Sequence, residues 1–339
     1  MSRLALLLLF ALVAAPVMAQ STDEEPMADA AEMTESTEMA DEAASGDEAM
    51  DPRTAYTAKL EEAQAAAEAD TPEAHLEAVR LYLEARDIAA NSEDEELIPF
   101  ASSATERAVA SYKSAGDAHK AQAEAAGDDE AAAATAFMVA AEQYAAGADL
   151  AATLENAGNE AGLRSLAGDA YSKAEDFENG LAQLGQAIEL SPEEYQFQLI
   201  RANVLIKAGD AAGARDALVD LVAATEAAGE TAVNDRASFM LGRIYLVTAQ
   251  SQIRDKDYTT GIATLDEASA LLGEDNESLN KLYGRAYYRI GAAQVQSESF
   301  SSAQTNLEQA LTYARRAGDE TIVGAAQQQL DYIVQVQGN

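Results

Sequence analysis

The chain has 339 residues, contains no cysteine and no tryptophan, and carries a formal net charge of −37 at pH 7. The absence of cysteine excludes disulfides, thiolate metal sites and cysteine nucleophiles. The negative charge disfavours nucleic acid and anionic lipid as partners. The acidic, lysine-poor composition, with 15 arginines and 7 lysines, also suggests adaptation to high salt, a hypothesis that predicts a melting temperature that rises toward molar salt.

Residues 1–19 have the pattern of a secretory signal peptide. Arg3 precedes an unbroken apolar run from Leu4 to Ala15, and a short small-residue pattern then leads into a polar segment. We predict cleavage after about Ala19, because the apolar run is shorter than the ~20 residues of a membrane span. With no cysteine to accept a lipid, the mature protein is expected to be periplasmic or extracellular and without a membrane span.

Residues 20–52 form an acidic segment that lacks basic, aromatic, valine and isoleucine residues. Such a segment buries too little apolar surface to offset the entropy of ordering, so we predict that it is disordered. Its methionine thioethers are ligands that Cu(I) accepts, but they are scattered and no histidine is near. We therefore predict no metal and no cofactor. The four methionines are Met27, Met33, Met39 and Met50.

The rest of the chain is rich in Ala, Glu, Leu and Gln, which predicts an almost wholly helical fold. Residues 166–192 contain one helix hairpin. Gly168 and Tyr171 belong to its first helix, Asp176 and Phe177 mark the turn, and an apolar stripe at helical spacing follows in the second helix. A proline at the end of this stretch stops the second helix.

The hairpin pattern recurs downstream. Gly209 and Asp210 mark the next turn 34 residues later, and two further units are centred on Gly242 and Gly284, which are 42 residues apart and each begin the motif G-R-x-Y. In these two units the glycine lies farther from the turn. About two additional turns in the first helix explain the longer spacing, since a turn holds ~3.6 residues.

These hairpins resemble the tetratricopeptide repeat (TPR), most specifically over residues 160–317. The resemblance implies an all-α fold, a right-handed α-solenoid of TPR-like antiparallel helix hairpins. The chain departs from the family pattern in repeat length and in its lack of tryptophan. Matches upstream, around Tyr82 and Tyr144, are weaker. A coiled-coil bundle would need sustained heptads, which the frequent turn signals interrupt.

The predicted organisation therefore has five parts. The signal peptide (1–19) and the acidic disordered segment (20–52) precede a divergent helical-repeat region at 53–158. TPR-like repeats occupy 159–318, and a capping helix at 319–339 closes the open end of the core, as solenoids require.

A groove lined by the first helix of each hairpin is the predicted binding site. Positions counted from the glycine at helical spacing share one face of each first helix, and in an acidic protein this face collects basic residues. The predicted groove residues are Asn203, Lys207, Arg236, Arg243, Lys281, Arg285, Tyr288 and Arg289. In some TPR proteins a basic clamp in this groove holds a peptide's C-terminal carboxylate, so the resemblance implies partners that carry carboxylate groups.

No sequence feature predicts an enzyme. The two histidines have no metal-ligand spacing, and no phosphate-binding glycine loop or nucleophile elbow is present. We predict an exported TPR-like scaffold that binds proteins or peptides. The alternatives are a periplasmic carrier of small molecules and a structural envelope protein without a specific ligand. The basic residues can also simply pair with neighbouring carboxylates, or meet the acidic segment 20–52 folded back onto the groove. The sequence does not predict the oligomeric state.

Overall fold

The computed structural model describes residues 50–338, so the predicted signal peptide and almost all of the acidic segment lie outside the described residues. The described residues form thirteen helices and no strand. None of these helices combines the length and the hydropathy that a transmembrane span needs. In chain order they are α1 Pro52–Ala67, α2 Pro72–Ala90, α3 Phe100–Ala125, α4 Glu130–Ala152, α5 Ala157–Lys173, α6 Phe177–Leu190, α7 Tyr195–Lys207, α8 Ala211–Ala228, α9 Thr231–Arg254, α10 Tyr258–Leu272, α11 Glu277–Gln296, α12 Phe300–Arg316 and α13 Glu320–Gln337.

The chain divides into two compact units, one ending at Ala118 and the other starting at His119. In the first unit α1 packs against α2. Tyr56, Ala85 and Leu97 belong to its small apolar core, and the ring centroids of Tyr56 and Phe100 are 6.0 Å apart. The first unit is therefore a helix hairpin closed by the start of α3.

The second unit contains α4, which packs against α5, and helix hairpins that follow one another along the chain. The hairpins are α5–α6, α7–α8, α9–α10 and α11–α12, and each first helix also contacts the first helix of the next hairpin. The final helix, α13, packs on both α11 and α12, where Ala326 and Ile333 are buried. This TPR-like arrangement matches the predicted fold class.

An aspartate caps the second helix of three successive hairpins. The side chains of Asp176, Asp210 and Asp257 each accept a hydrogen bond from a backbone N–H three residues later, at the start of α6, α8 and α10. Such a cap satisfies one of the free N–H groups of a helix N-terminus. The three turns recognised in the sequence therefore define the helix boundaries that the structure shows.

Glycines allow the paired helices to approach closely. A Cβ atom added at Gly168 would lie 2.5 Å from Leu184 Cγ and 2.9 Å from the backbone oxygen of Gly180, and one added at Gly242 would lie 2.6 Å from Leu272 Cγ. The longer spacing of the last two units also has the expected origin. Helices α9 and α11 have 24 and 20 residues, whereas α5 and α7 have 17 and 13.

Three tyrosine rings fill the space between α11 and α12. The Tyr283 and Tyr313 centroids are 4.6 Å apart, and Tyr287 stacks on Tyr313 at 5.7 Å. The Tyr283 hydroxyl donates a hydrogen bond of 2.6 Å to Asp266 on α10. Burial, followed by this hydrogen bond, raises the pKa of Tyr283 well above its usual value. The stack thus joins three helices and keeps Tyr283 protonated.

Candidate functional site

A cleft of about 540 Å³ lies in the second unit. Its walls come from the C-terminal end of α9, the start of α10, the middle of α11 and the start of α13. Its apolar wall consists of Ile253, Tyr258, Leu282 and Ile322, and its polar wall of Gln250, Arg254, Lys256, Arg285 and Arg289.

Helical periodicity explains how three of the four basic side chains reach the cleft. Arg285 and Arg289 are four residues apart on α11, so they lie one above the other on the same face. On α9, Gln250 and Arg254 have the same spacing and form the opposite wall. The extended C-terminal part of α9 carries this second pair, so the additional helix length is also what builds the cleft.

Lys256 reaches the cleft from the turn between α9 and α10. Its φ angle is +68°, in the left-handed region, and the next residue, Asp257, caps α10. The equivalent position of the α7–α8 turn is Gly209, with φ +82°. A non-glycine residue in this conformation costs about 1–2 kcal/mol. The left-handed backbone favours glycine here, yet three of the four equivalent turn positions carry a charged side chain, namely Glu175, Lys256 and Glu298.

The positive charges in the cleft are weakly compensated. None of the described residues that line it is acidic. Within residues 50–338, no carboxylate oxygen lies within 4.0 Å of the charged nitrogens of Arg254, Lys256 or Arg289. Arg285 Nε lies 3.7 Å from Asp319 Oδ2. Elsewhere in the described residues, some basic side chains do pair with nearby carboxylates, among them Arg80, Lys113, Arg164, Lys173 and Arg215.

Two of the eight residues predicted for the groove line this cleft, Arg285 and Arg289. The other six lie on the first helices of the three hairpins between α7 and α12 but are not among the described residues that line it. Their side chains are exposed at Lys207, Arg236 and Lys281, and half-buried at Asn203, Arg243 and Tyr288. A groove that joins all eight stays a prediction.

Two of these six occupy partly enclosed positions. Lys207 is exposed, yet desolvation by the surrounding protein lowers its pKa against the opposing effect of the Asp169 charge. Burial also lowers the pKa of Arg243, whose guanidinium carbon lies 5.7 Å from the centroid of the Phe239 ring. Both shifts show that protein atoms surround these side chains enough to disfavour the charged form.

Sequence reasoning missed Arg254 and Lys256. Arg254 lies on the same face of α9 as the predicted groove residues Arg236 and Arg243, but farther along, in the added turns of this longer helix. Extending the count to the end of the helix would have found it. Lys256 lies outside the helix, and helical spacing carries no signal for a residue whose direction depends on the turn.

Two further predictions bear on other parts of the chain. The acidic segment proposed to fold onto the groove falls outside the described residues, apart from its last three positions. Among the described residues, no group of three or more histidine, aspartate or glutamate side chains is placed to hold a metal ion. Of the four methionines considered for Cu(I), only Met50 is described, and it is exposed.

No protein-family model and no curated protein matches the chain. The chain is similar to several solved structures at 12–13% identity. Aspartyl phosphate phosphatase F from Bacillus subtilis is 13% identical, with 88% of this chain and 85% of that chain covered and a TM-score of 0.33. A Rap protein complexed with Competence and Sporulation Factor is 12% identical, with coverages of 84% and 98% and a TM-score of 0.30. The P58(IPK) TPR domain is 13% identical, with coverages of 84% and 94% and a TM-score of 0.27.

The hairpins of the second unit, with first helices in contact and glycines at the close approaches, give this unit a TPR-like helical-repeat fold.

Proposed function

We propose that the protein is a helical-repeat scaffold that binds acidic segments of protein or peptide partners in the cleft between α9 and α11. One observation carries the proposal. A chain of net charge −37 places Arg254, Lys256, Arg285 and Arg289 around one cleft, with no carboxylate among the described lining residues. Guanidinium groups bind carboxylates through paired, charge-assisted hydrogen bonds, and lysine adds a point charge.

The overall charge of the protein makes such a site selective at short range. An acidic ligand is repelled by the chain as a whole, but at physiological salt the repulsion is screened beyond about 8 Å. Inside the cleft the ligand meets four nearby cations and apolar contacts from Ile253 and Leu282. We therefore propose that the site prefers partners that place carboxylates inside the cleft. Partners whose negative charge is spread over their surface should bind less well.

The test is a titration of the full mature chain with a fluorescein-labelled hexaglutamate peptide at about 0.15 M salt. The double variant Arg285→Glu/Arg289→Glu is expected to lose at least tenfold in affinity, since each close charge pair contributes on the order of 1 kcal/mol or more. Equal affinity in the double variant and the wild type would contradict the proposal.

The chain offers a matched control. Arg215 and Arg315 lie on the second helices α8 and α12, are exposed, and do not line the cleft. The variant Arg215→Glu/Arg315→Glu has the same net charge as the cleft variant. It is expected to bind hexaglutamate within about twofold of the wild type, since exposed charges outside the site act only through a screened field. Losses of similar size in both variants would show that net charge, rather than the cleft, determines affinity.

A second candidate function is the binding of a small anionic molecule. The cleft volume of about 540 Å³ falls in the range of roughly 300–1,000 Å³ that small-molecule sites have. Competition separates the two candidates. If a small tricarboxylate such as citrate displaces hexaglutamate at a concentration well below that of the peptide, the carrier function is favoured.

The location of this activity is a separate proposal. We propose that the chain is exported and acts in the periplasm or outside the cell, on the basis of the signal-peptide pattern of residues 1–19. N-terminal sequencing of the protein from the periplasmic and cytoplasmic fractions is the test. A mature protein that begins near Gln20 in the periplasm is expected, and an intact cytoplasmic chain that still begins at its first residue would contradict the proposal.

A further inference from the structure

An exposed aromatic side chain lies on the helix face that leads to the cleft. Phe239, in the first half of α9, has 47% of its surface exposed. The guanidinium carbon of Arg243, one turn along the helix, lies 5.7 Å from its ring centroid. Large apolar side chains are usually buried, but isolated exposed ones are common. Exposure alone therefore does not mark Phe239 as a binding residue, and its position on the helix has to be considered.

The face that begins at Phe239 continues to the basic cleft. Residues three or four apart lie on one side of a helix, and this spacing leads along α9 from the aromatic ring to the cleft wall. The intervening side chains are half-buried at first and exposed further on. This face, which we call the α9 track, consists of Phe239, Arg243, Leu246, Val247, Gln250 and Arg254.

Repeat packing does not account for an aromatic residue at this position. The equivalent position, three residues before the glycine or alanine of the repeat, is Leu199 on α7 and Lys281 on α11. Leu199 is only 3% exposed, whereas Lys281 is exposed. The α11 hairpin thus forms without an apolar side chain there, and in α9 the apolar ring is present but remains half in solvent.

We propose that the acidic partner segment also carries an aromatic or large aliphatic residue that packs on Phe239. This inference rests on the proposed function, because it assigns the second contact of the same ligand. Fifteen positions separate Phe239 from Arg254, which at ~1.5 Å per residue is about 22 Å along the helix. An extended peptide advances ~3.3 Å per residue. The apolar residue and the acidic group of the partner are therefore about seven residues apart.

Charge complementarity favours an acidic peptide over other occupants of the α9 track. Arg254 and the other cations of the cleft lie at one end of the α9 track, and the exposed ring of Phe239 lies at the other. A second copy of this chain would also carry a net charge of −37, and two chains of like net charge repel each other. A peptide with one acidic end and one apolar residue complements both ends.

The test uses four labelled peptides, a reversed version of one of them, and the full mature chain. Each peptide carries two glutamates. One peptide has a phenylalanine separated from them by six glycine and serine residues, a second has the phenylalanine adjacent to them, and the other two replace phenylalanine by serine at the same positions. A reversed version of the first peptide covers the opposite chain direction. The proteins are the wild type, Phe239→Ala and Phe239→Tyr.

The wild type is expected to bind the spaced phenylalanine peptide about fivefold more tightly than its serine version. An aromatic anchor at a partly exposed contact contributes binding energy of this order. The adjacent phenylalanine should give no gain. Phe239→Ala should remove the gain and leave the serine peptides unaffected, whereas Phe239→Tyr should retain it. Circular dichroism melting of Phe239→Ala checks that the variant is folded.

Four results would overturn the inference, and three of them concern the gain from phenylalanine. These are no gain from phenylalanine in either chain direction, an equal gain from the adjacent peptide, or a gain that persists in Phe239→Ala. It is also overturned if Phe239→Ala abolishes self-association or binding to phosphatidylglycerol vesicles while the peptide gain is unchanged. The proposed function fails separately, if the serine peptides do not bind or bind Arg285→Glu/Arg289→Glu equally well.

Discussion

Nε of Arg285 lies 3.7 Å from Oδ2 of Asp319 at the edge of the basic cleft. The carboxylate is already engaged, because its Oδ1 accepts a hydrogen bond from the backbone N–H of Ile322 and so caps α13. A separation of 3.7 Å exceeds hydrogen-bond length, and 47% of the Arg285 side chain is exposed. The Asp319 carboxylate therefore attracts the Arg285 guanidinium electrostatically, but it does not accept a hydrogen bond from the N–H groups of Arg285.

Asp319→Asn is expected to strengthen hexaglutamate binding by about two- to fivefold, because it removes a competing charge that contributes up to ~1 kcal/mol. Stability should change little, since asparagine is as good an N-cap as aspartate. Asp319→Ala is the comparison, with a similar gain in affinity but a loss of about 1 kcal/mol in the free energy of unfolding. Weaker peptide binding in Asp319→Asn would contradict a role for Asp319 as a competing anion. Fluorescence anisotropy and urea unfolding supply the two readouts.

Lys256→Gly should affect stability and binding in opposite directions. Glycine adopts the left-handed conformation of this position, with φ +68°, without the strain that lysine bears, so the free energy of unfolding should rise by about 0.5–1 kcal/mol. Loss of a cleft cation should weaken hexaglutamate binding about threefold, as a partly exposed charge does. Urea unfolding and anisotropy titration measure the two changes.

Glu298→Gly is the control for Lys256→Gly. Glu298 has φ +61° in the corresponding turn between α11 and α12 and does not line the cleft. It should show the same gain in stability without the loss in binding. If both variants weaken binding, backbone relaxation rather than the lysine charge is responsible.

Gly168→Ala is expected to destabilise the second unit by about 1–3 kcal/mol. The new methyl group would lie 2.5 Å from Leu184 Cγ and 2.9 Å from a backbone oxygen, so α5 and α6 would have to separate. Gly162→Ala, on the same helix with nothing within 4 Å of the added atom, should instead stabilise by about 0.5–1 kcal/mol. Urea unfolding measures both, and equal effects would show that close approach at Gly168 is unimportant.

The tyrosine stack predicts a loss of stability in alkali. Burial and the carboxylate of Asp266 raise the pKa of Tyr283 above the value of about 10 that the unfolded chain shows. The unfolded state therefore releases its proton first, so the contribution of Tyr283 to stability is complete below pH 10 and declines as pH rises above it. Tyr283→Phe should be less stable at pH 9 by about 1 kcal/mol, with a smaller decline toward pH 11.

Thermal melting between pH 9 and pH 11 measures this difference. Tyr332→Phe, at a half-exposed ring on α13, is the control and should follow the wild type. If Tyr283→Phe and the wild type lose melting temperature in parallel, the proton of Tyr283 is not linked to folding.

The sequence predicted the repeat architecture because each hairpin carries its own local signals. Asp176 and Asp257 begin second helices in the structure as the turn patterns indicated, and the glycines lie where paired helices touch. These signals are short-range: a cap acts within three residues, and a close approach requires a small side chain whatever the neighbour is.

The site was less accessible to prediction because it depends on where a helix ends and how the next turn runs. The face containing Arg285 and Arg289 follows from helical spacing alone. Arg254 required the full length of α9, and Lys256 required the backbone of the turn. Helical periodicity also cannot show which basic residues have a carboxylate nearby, because such contacts can join different helices. The approach of Asp319, at the start of α13, to Arg285 on α11 is an example.

Site-specific photo-crosslinking tests the central claim most directly. A benzophenone amino acid replaces Gln250 in the wall of the cleft or, as the control, Gln304 on the exposed face of α12. Both proteins are irradiated with labelled hexaglutamate at about 0.15 M salt, where charges beyond about 8 Å are screened. The account predicts a crosslink from position 250 that Arg285→Glu/Arg289→Glu abolishes, and none from position 304. Equal crosslinking from both positions, or a crosslink at position 250 that survives the charge reversal, would contradict it.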